Sequence, residues 1–271
     1  MLHLIYMGIS FVSAVLYALA RHLFKKISGY FIVAGMTISG YIALFALHVA
    51  IFALVGATIN EKKLPKSIHT FYRWFGLLTL KVFVDSFRFR IKISGKEKLP
   101  EENFLIVSNH RSMFDPLIGI TRLKDHDMAY ISKEENLKIP FVGRYMKAVG
   151  CLDIDRENTR NAVKTINKAA EYIKTGHCNL GIYPEGMVNK NDEPLLPFRA
   201  GAFKIAKKAH CPVAVMTIKN SNKVFRRFIF KRIKVDIDIL GVIPAEEVEK
   251  LTTQEISDKA YDMMYENLKA A

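Results

Sequence analysis

The first 60 residues contain no aspartate or glutamate, and Arg21, Lys25 and Lys26 are their only formal charges. A stretch so poor in charge is not a water-facing surface. Cysteine is scarce as well: Cys151, Cys178 and Cys211 are the only three in 271 residues, and no two are closely paired. Such spacing argues against a disulfide framework and suits buried thiols in a reducing compartment. Cys178 next to His177 does not make a nucleophile and base, because neighbours on a strand point to opposite faces. No internal repeat and no low-complexity segment interrupts the chain. Its length suits one large core with an appendage rather than two separate catalytic domains.

Acid is also short over the whole chain, with 26 Asp and Glu against 40 Lys and Arg and a net charge of +14. The surface therefore favours anionic partners such as phospholipid headgroups, nucleic acid or acidic carrier proteins. The apolar runs narrow that choice. Residues 1–20 and 29–59 are each long enough to cross a hydrocarbon layer of about 30 Å, which predicts membrane contact. Ala18-Leu19-Ala20 looks like a signal cleavage site, but no Lys or Arg precedes the run as a signal peptide requires. Cations flank both ends of the second run, Arg21, Lys25 and Lys26 before it and Lys62, Lys63 and Lys66 after it. Both clusters favour the cytoplasmic side. At least one run is therefore expected either to enter and return, with Gly35 and Gly40 as candidate break points, or to lie shallowly in one leaflet.

Residues 69–88 space Phe, Tyr, Trp and Leu at helical intervals among Arg73, Lys81 and Arg88, which reads as an interfacial helix or as a helix packed on the soluble core. Short β-rich runs follow at 90–94, 104–109, 128–132, 179–185, 212–219 and 235–240. Nearly continuous apolar strands imply a sheet covered on both faces. Helices are expected over 158–174, stopped by Gly176, over 199–209, and over 253–269 behind a Thr252-x-x-Glu255 capping box. The expected fold is a three-layer α/β domain with a mostly parallel or mixed central sheet between helices, preceded by hydrophobic membrane helices.

The sharpest chemical feature is Ser108-Asn109-His110-Arg111-Ser112-Met113-Phe114-Asp115-Pro116, where a buried strand ends and a helix begins. Open α/β sheets keep reactive groups at such strand ends. A carboxylate five residues after a histidine can fold back onto one imidazole nitrogen and leave the other free as a base. Asn109, Arg111 and Ser112 are expected to shape the turn. The nucleophile missing from this half-triad would be a substrate hydroxyl.

This block resembles the Asn-His-x-x-x-x-Asp motif of the glycerolipid acyltransferase family, and three further blocks resemble that family's in the same order. The second comprises Lys133, Pro140, Phe141, Gly143, Gly150, Ile154, Asp155 and Arg156. The third is Tyr183-Pro184-Glu185-Gly186, similar to a family Phe-Pro-Glu-Gly, and the fourth is Cys211-Pro212-Val213-Ala214-Val215. The chain departs from the family after Gly186, where Met187-Val188-Asn189 stands in place of the usual Thr-Arg-Ser. Lys190 or Arg199 is left to substitute for that arginine. The resemblance spans about residues 90–220. The membrane runs and the C-terminal helix lie outside it, and with the apolar pattern the expected division is an anchoring segment over 1–60 and an acyltransferase domain over 61–271.

The same resemblance implies transfer of a fatty acyl group from an acyl carrier protein or coenzyme A thioester to the free hydroxyl of 1-acylglycerol-3-phosphate. His110 would be the base and Asp115 its orienting partner. Lys133, Arg156, Glu185, Gly186 and Arg199 would form the acceptor site. No cofactor and no metal are expected; a metal-dependent hydrolase built on His110 and Asp115 lacks further ligands at workable spacing. The expected partners are an anionic phospholipid membrane, the acyl donor and a lysophospholipid acceptor, with the catalytic domain on the cytoplasmic side and no nucleic acid bound. An acceptor other than lysophosphatidate, or a membrane-bound protein without catalysis, are the competing readings.

Residues 219–234 carry Lys219, Lys223, Arg226, Arg227, Lys231, Arg232 and Lys234 with no acid, interleaved with Phe225, Phe228, Ile229 and Phe230. A hairpin pressed on an anionic bilayer, a single-strand nucleic-acid groove and a solvated edge all use such a mixture. The two apolar runs favour lipid. Single cysteines placed at Lys25 and Lys63 and labelled from each side of sealed vesicles should both react from the same side; opposite-side labelling would overturn the shared location of the two cation clusters.

Overall fold

Apolar residues surround the full circumference of α1 (Leu2–Ala20) and α2 (Ile27–Thr58), so neither helix has a polar face to turn toward water. In the computed structural model, which describes residues 2–60, 70–155, 158–226 and 232–269, the chain divides into two units, Met1–Thr58 and Ile59–Ala271. Both helices of the first unit are long and apolar enough to cross a membrane. Ser10, Ala14 and Ala18 recur at helical spacing on α1 and are buried. Small residues of this kind let two helices approach closely. His3 and Tyr41 are 2.7 Å apart, and Tyr6 and His48 2.8 Å apart, so polar side chains also link the pair.

The turn between them falls at His22, which adopts φ 53°, and at a short 3-10 segment, Leu23–Lys25. The break expected at Gly35 or Gly40 does not occur, because α2 runs unbroken for 32 residues. A Cβ on Gly40 would lie 3.0 Å from Ser10 Oγ, so that glycine makes room for α1 rather than a bend. An interrupted helix would expose backbone groups that hydrocarbon cannot satisfy. Same-side placement of the two cation clusters then requires α2 to lie along the interface. Lys62, Lys63 and Lys66 themselves lie outside the described residues.

The first described helix of the second unit is α3 (Thr70–Ser86), which buries Arg73, Phe75, Val82 and Val84 and exposes Phe71 and Trp74. It is thus a helix packed on the core that keeps an apolar outer stripe. Arg73 Nε reaches Asp127 Oδ1 at 2.7 Å and pins the helix. The strands are β1 (Phe89–Ser94), β2 (Leu105–Ser108), β3 (Met128–Ser132), β4 (Leu152–Asp153), β5 (Asn179–Ile182), β6 (Val213–Lys219) and β7 (Ile233–Ile243). They form one sheet in the order β1-β7-β6-β2-β5-β3-β4. The run from β6 to β4 is parallel; β7 is antiparallel to β6, and β1 is parallel to β7. The mixed sheet of the expected three-layer fold is present, with the two-residue β4 as the one strand the pattern did not reveal.

Alternation along the strands feeds two cores. Leu105 and Val107 point to one face with α7 (Thr159–Lys174), α8 (Lys204–Ala209), α9 (Ala245–Lys250) and α10 (Thr253–Lys269). Phe104 and Ile106 point to the other, with Val84 of α3 and Ile118 of α4 (Asp115–Arg122). Two short helices, α5 (Glu134–Leu137) and α6 (Val142–Ala148), follow β3.

The helix ends obey local chemistry. The Asn158 side chain accepts from the Arg160 and Asn161 N–H groups, and Gly176 turns the chain out of α7 at φ 72°. Thr252 N donates to Glu255 Oε2 while Glu255 N donates to Thr252 Oγ1, which completes the expected capping box. Residues 199–209 split into a 3-10 turn, Ala200–Phe203, and α8. The basic stretch joins β6 to β7 through a 3-10 segment, Ser221–Arg226, and residues 227–231 lie outside the described residues.

On the α4 face Tyr130 fills space that two glycines leave open, since a Cβ on Gly119 would overlap its hydroxyl and one on Gly181 its ring. Gly181 pairs with Tyr130 directly across β5 and β3. Gly181→Ala should therefore lower stability by about 1–3 kcal/mol, as overpacking does, and a reduced thermal midpoint of the purified protein would show it.

Candidate active site

In a parallel sheet the register of two strands sets which residues meet beyond their ends. Val107 of β2 faces Ile182 of β5, so three residues further on His110 stands beside Glu185. The His110 N–H donates to Glu185 Oε1 at 2.6 Å, and Glu185 Oε2 accepts from the Leu196 N–H at 3.0 Å. On the other side, Asn109 is fully buried and exchanges two hydrogen bonds with β6: its Nδ2 donates to the Ile218 carbonyl, and its Oδ1 accepts from the Ile218 N–H. The turn that carries His110 is thus tied to both neighbouring strands.

The chain then folds back as α4 begins. Asp115, the first residue of that helix, is wholly buried, and its Oδ2 accepts from His110 Nδ1 at 3.0 Å and from the backbone N–H groups of Arg111 and Ser112, both at 2.7 Å. With two backbone N–H groups already on Oδ2, a carboxylate at Asp115 pairs with the Nδ1–H tautomer of His110, the form that leaves the Nε2 lone pair free. The His110 side chain is 16% exposed, and no hydrogen bond to Nε2 is found among the described residues.

Tyr183 stacks on the imidazole with centroids 4.0 Å apart and planes 14° from parallel, and Tyr130 stacks behind Tyr183. Burial pushes both phenols well above their ordinary range. They act as packing surfaces for the ring and not as acids.

Glu185 is buried with both oxygens on backbone amides, so its carboxylate holds loops together and does not point to solvent. Burial raises its pKa, against the pull of the His110 and Leu196 N–H groups. Gly186 follows at φ 78°, with its N–H donating to the Tyr183 carbonyl. Asn189 is buried: its backbone N–H donates to the His110 carbonyl at 2.6 Å, its Nδ2 donates to the Glu193 carbonyl, and its Oδ1 accepts from the Asn191 N–H. Arg111 donates from one guanidinium nitrogen to the Asn191 and Glu193 carbonyls. Lys133 is exposed at the end of β3, and Arg199 is exposed after the loop, its N–H donating to the Pro184 carbonyl. Arg156 lies outside the described residues.

The structure thus brings together His110, Asp115, Glu185 and Gly186 and leaves Lys133 and Arg199 at the surface. Sequence reasoning gave no role to Tyr183 beyond its motif or to Asn189 beyond its departure from the pattern. The strand register marks both, because Tyr183 and Asn189 lie on the segment that runs beside His110. The three cysteines are buried and free, and burial pushes Cys151 to about 11 and Cys178 and Cys211 to about 12, so none is a ready thiolate.

Comparison with known proteins finds relatives for the stretch that carries this geometry. A family model described as Acyltransferase matches residues 90–219, which include every residue of the two tied loops. Over that stretch the chain is similar to the acyltransferase family. A 1-acyl-sn-glycerol-3-phosphate acyltransferase of Saccharomyces cerevisiae is 28% identical over 182 residues, covering 66% of this chain and 60% of that protein. One of Salmonella typhimurium is 25% identical over 221 residues, 80% of this chain and 84% of its own length. One of Helicobacter pylori is 35% identical over 121 residues, 45% and 50% of the two chains. The chain thus spans about three fifths of the yeast relative and most of the Salmonella one. The crystal structure of the 1-acyl-sn-glycerophosphate acyltransferase PlsC from Thermotoga maritima shares the fold, with a TM-score of 0.60 at 22% identity over 73% of this chain and 80% of that one.

Because burial raises the Glu185 pKa, its favourable contribution is full below the ordinary carboxylate range and is lost as pH rises through the folded value. A glutamine at 185 does not titrate, and it can offer only one carbonyl oxygen to two backbone N–H groups. Glu185→Gln should cost about 1–3 kcal/mol near pH 5, and the gap to wild type should narrow as pH rises. Denaturant unfolding of both proteins across pH would measure it.

Proposed function

We propose that this chain transfers a fatty acyl group from a thioester, carried by an acyl carrier protein or coenzyme A, to the free hydroxyl of 1-acylglycerol-3-phosphate, giving phosphatidic acid. The observation that carries the reading is the His110–Asp115 pair at a strand end, its imidazole oriented on one nitrogen, without a hydrogen bond at the other and 16% exposed. The free Nε2 takes the proton of the acceptor hydroxyl as its oxygen attacks the thioester carbonyl. The tetrahedral intermediate then expels the thiolate, which recovers the proton from the imidazolium, with Asp115 balancing its charge meanwhile.

Direct transfer, without an acyl-enzyme, is supported by the neighbours of the ring. Ser108 Oγ donates to the Asn109 carbonyl, Ser112 Oγ accepts from the Phe114 N–H, and the cysteines are buried. Among the described residues no hydroxyl or thiol is hydrogen-bonded to His110. In this reading Lys133, Arg156 and Arg199 hold the acceptor phosphate, Gly186 lets the backbone approach it, and Glu185 serves the acceptor site by fixing its loops. The positive surface suits an acidic carrier and an anionic cytoplasmic leaflet, with α1 and α2 as the anchor.

One observation favours a second acceptor class within the same chemistry. The tip after Gly186 is Met187-Val188, and the Asn189 side chain is occupied by its own loop, so this tip presents no cation before Lys190. A lysolipid with another headgroup would fit such a tip. Purified protein should be offered labelled acyl thioester and a panel of acceptors. Transfer should fall at least about a hundredfold in His110→Ala and strongly in Asp115→Asn. Full activity of His110→Ala would end the proposal, and preference for a phosphate-free acceptor would select the second reading.

A further inference from the structure

Lys133 and Arg199 follow β3 and β5, on one side of the strand that carries His110, and a second set of cations stands on the other side, where β6, β7 and β1 continue the sheet. β7 is antiparallel to β6 and β1 runs with β7, so the N-terminal ends of both strands come to the edge at which β2 leads into His110. One face of these strands is core, with Ile91, Ile93, Val235 and Ile237. The other face is polar. α10 reaches it at Thr217, whose Oγ1 donates to Asn267 Oδ1 at 2.7 Å, and beyond that bond Arg90, Lys92, Ser94 and Lys234 are exposed.

Charge on this face is matched in one row and unmatched in the next. Asp236 stands in register between Lys219 of β6 and Lys92 of β1, and Asp238 accepts from Ser94 and pairs with Lys219 at 3.3 Å. Two residues nearer the His110 edge, Arg90 and Lys234 are direct register partners, and Arg232, just before β7, is exposed as well. Neither Arg90 nor Lys234 joins an ion pair among the described residues. Like charges side by side on neighbouring strands destabilise a sheet, so this pair costs the fold and suits an anion from outside. A cleft of about 580 Å³ leads toward it. The cleft lining passes from Asn109 and Arg111, on either side of His110 in sequence, through Asn220 and Asn222 after β6, to Lys219 and Lys92.

We propose that this cleft holds the phosphopantetheine arm of the acyl donor, with its phosphate at Arg90 and Lys234 and its thioester at His110. The proposal rests on the reading that the chain takes an acyl group from a thioester. Coenzyme A and an acyl carrier protein share this arm and differ beyond its phosphate. Reach decides which substrate the cations serve. In 1-acylglycerol-3-phosphate the phosphate hangs on the carbon next to the one that bears the hydroxyl, so it stays close to the base. β7 and β1 lie about 10 and 14 Å from β2 at the usual spacing of neighbouring strands. At roughly 3.6 Å for every three extended bonds, the arm spans about 16 Å from sulfur to phosphorus. Its two amides meet the amide side chains of Asn220 and Asn222 on the way. The base then stands between an acceptor half, on the β5 and β3 side, and a donor half on the β6, β7 and β1 side.

The test measures binding without turnover. The full chain in detergent micelles is titrated calorimetrically with 4′-phosphopantetheine, pantetheine, coenzyme A and a holo acyl carrier protein. Wild type is compared with Arg90→Gln, Lys234→Gln and, as a control for net charge, Lys164→Gln on the exposed side of α7. Wild type should bind 4′-phosphopantetheine more tightly than pantetheine. The Kd of the phosphate-bearing arm should rise at least about fivefold in Arg90→Gln and in Lys234→Gln and stay level in Lys164→Gln. Both variants remove like-charge repulsion, so their thermal midpoints should equal or exceed that of wild type, which separates a lost contact from a lost fold. Whichever of coenzyme A and the carrier protein weakens alongside the arm is the donor that the site serves. In the transfer assay the KM for the thioester should rise and that for the lysolipid should not. Binding is read without transfer, so weakened phosphopantetheine in the two variants supports the site even if His110→Ala keeps full activity. Unchanged Kd for the arm, unchanged Kd for both coenzyme A and the carrier protein, a raised KM for the lysolipid in place of the thioester, or weaker sedimentation with anionic vesicles at unchanged donor affinity, as a bilayer contact would cause, each overturns it.

Discussion

One carboxylate oxygen organises the reactive end of this sheet. Asp115 Oδ2 gathers the His110 ring nitrogen and the backbone N–H groups of Arg111 and Ser112, all within 3.0 Å. Each of these bonds is charge-assisted for a carboxylate, and Asp115 itself is closed to water, where an unpaired charge would be costly. The carboxylate therefore stays buried only because the turn wraps it, and the turn keeps its shape only because the carboxylate is there. The first turn of α4 adds a helix N-terminus, whose partial positive charge favours the same anion. Any ligand chemistry at His110 depends on this mutual arrangement.

The ties to β5 and β6 give that turn a fixed address. Glu185 spans from the His110 N–H to the Leu196 N–H, and Asn109 completes the ladder with Ile218. Both residues replace missing backbone hydrogen bonds with side-chain ones at places where strands have ended but burial has not. Tyr183 adds a flat wall at 4.0 Å that restrains rotation of the imidazole. Geometry of this kind is what a base needs to meet a hydroxyl repeatedly in one orientation.

Much of this was legible in the residues. Apolar runs located six of the seven strands among the described residues, and the end of α7 and the start of α10 followed from Gly176 and the Thr252–Glu255 box, because caps are local chemistry. The His110–Asp115 contact was legible for the same reason, being five residues apart. The continuity of α2 through Gly35 and Gly40 was not, since a glycine that admits a neighbouring helix looks the same in sequence as one that breaks its own. Nor was the role of Glu185, whose partners are 75 residues before it and 11 after it and meet it only through strand register. Its type suggested a ligand group; its burial shows a brace.

In the proposed reaction, that brace separates chemistry from acceptor recognition. Glu185 and Asn189 bracket Met187-Val188, and each is bonded to His110 through the backbone, one to its N–H and the other to its carbonyl. Met187 and Val188 make none of the hydrogen bonds that set the dyad. Exchanging an arginine for Val188 at this tip therefore leaves the base and its carboxylate in place while changing what the tip presents to a headgroup. In the proposed reaction, the free nitrogen of His110 sets what is done to the hydroxyl, and the loop tip sets which lipid brings that hydroxyl within reach.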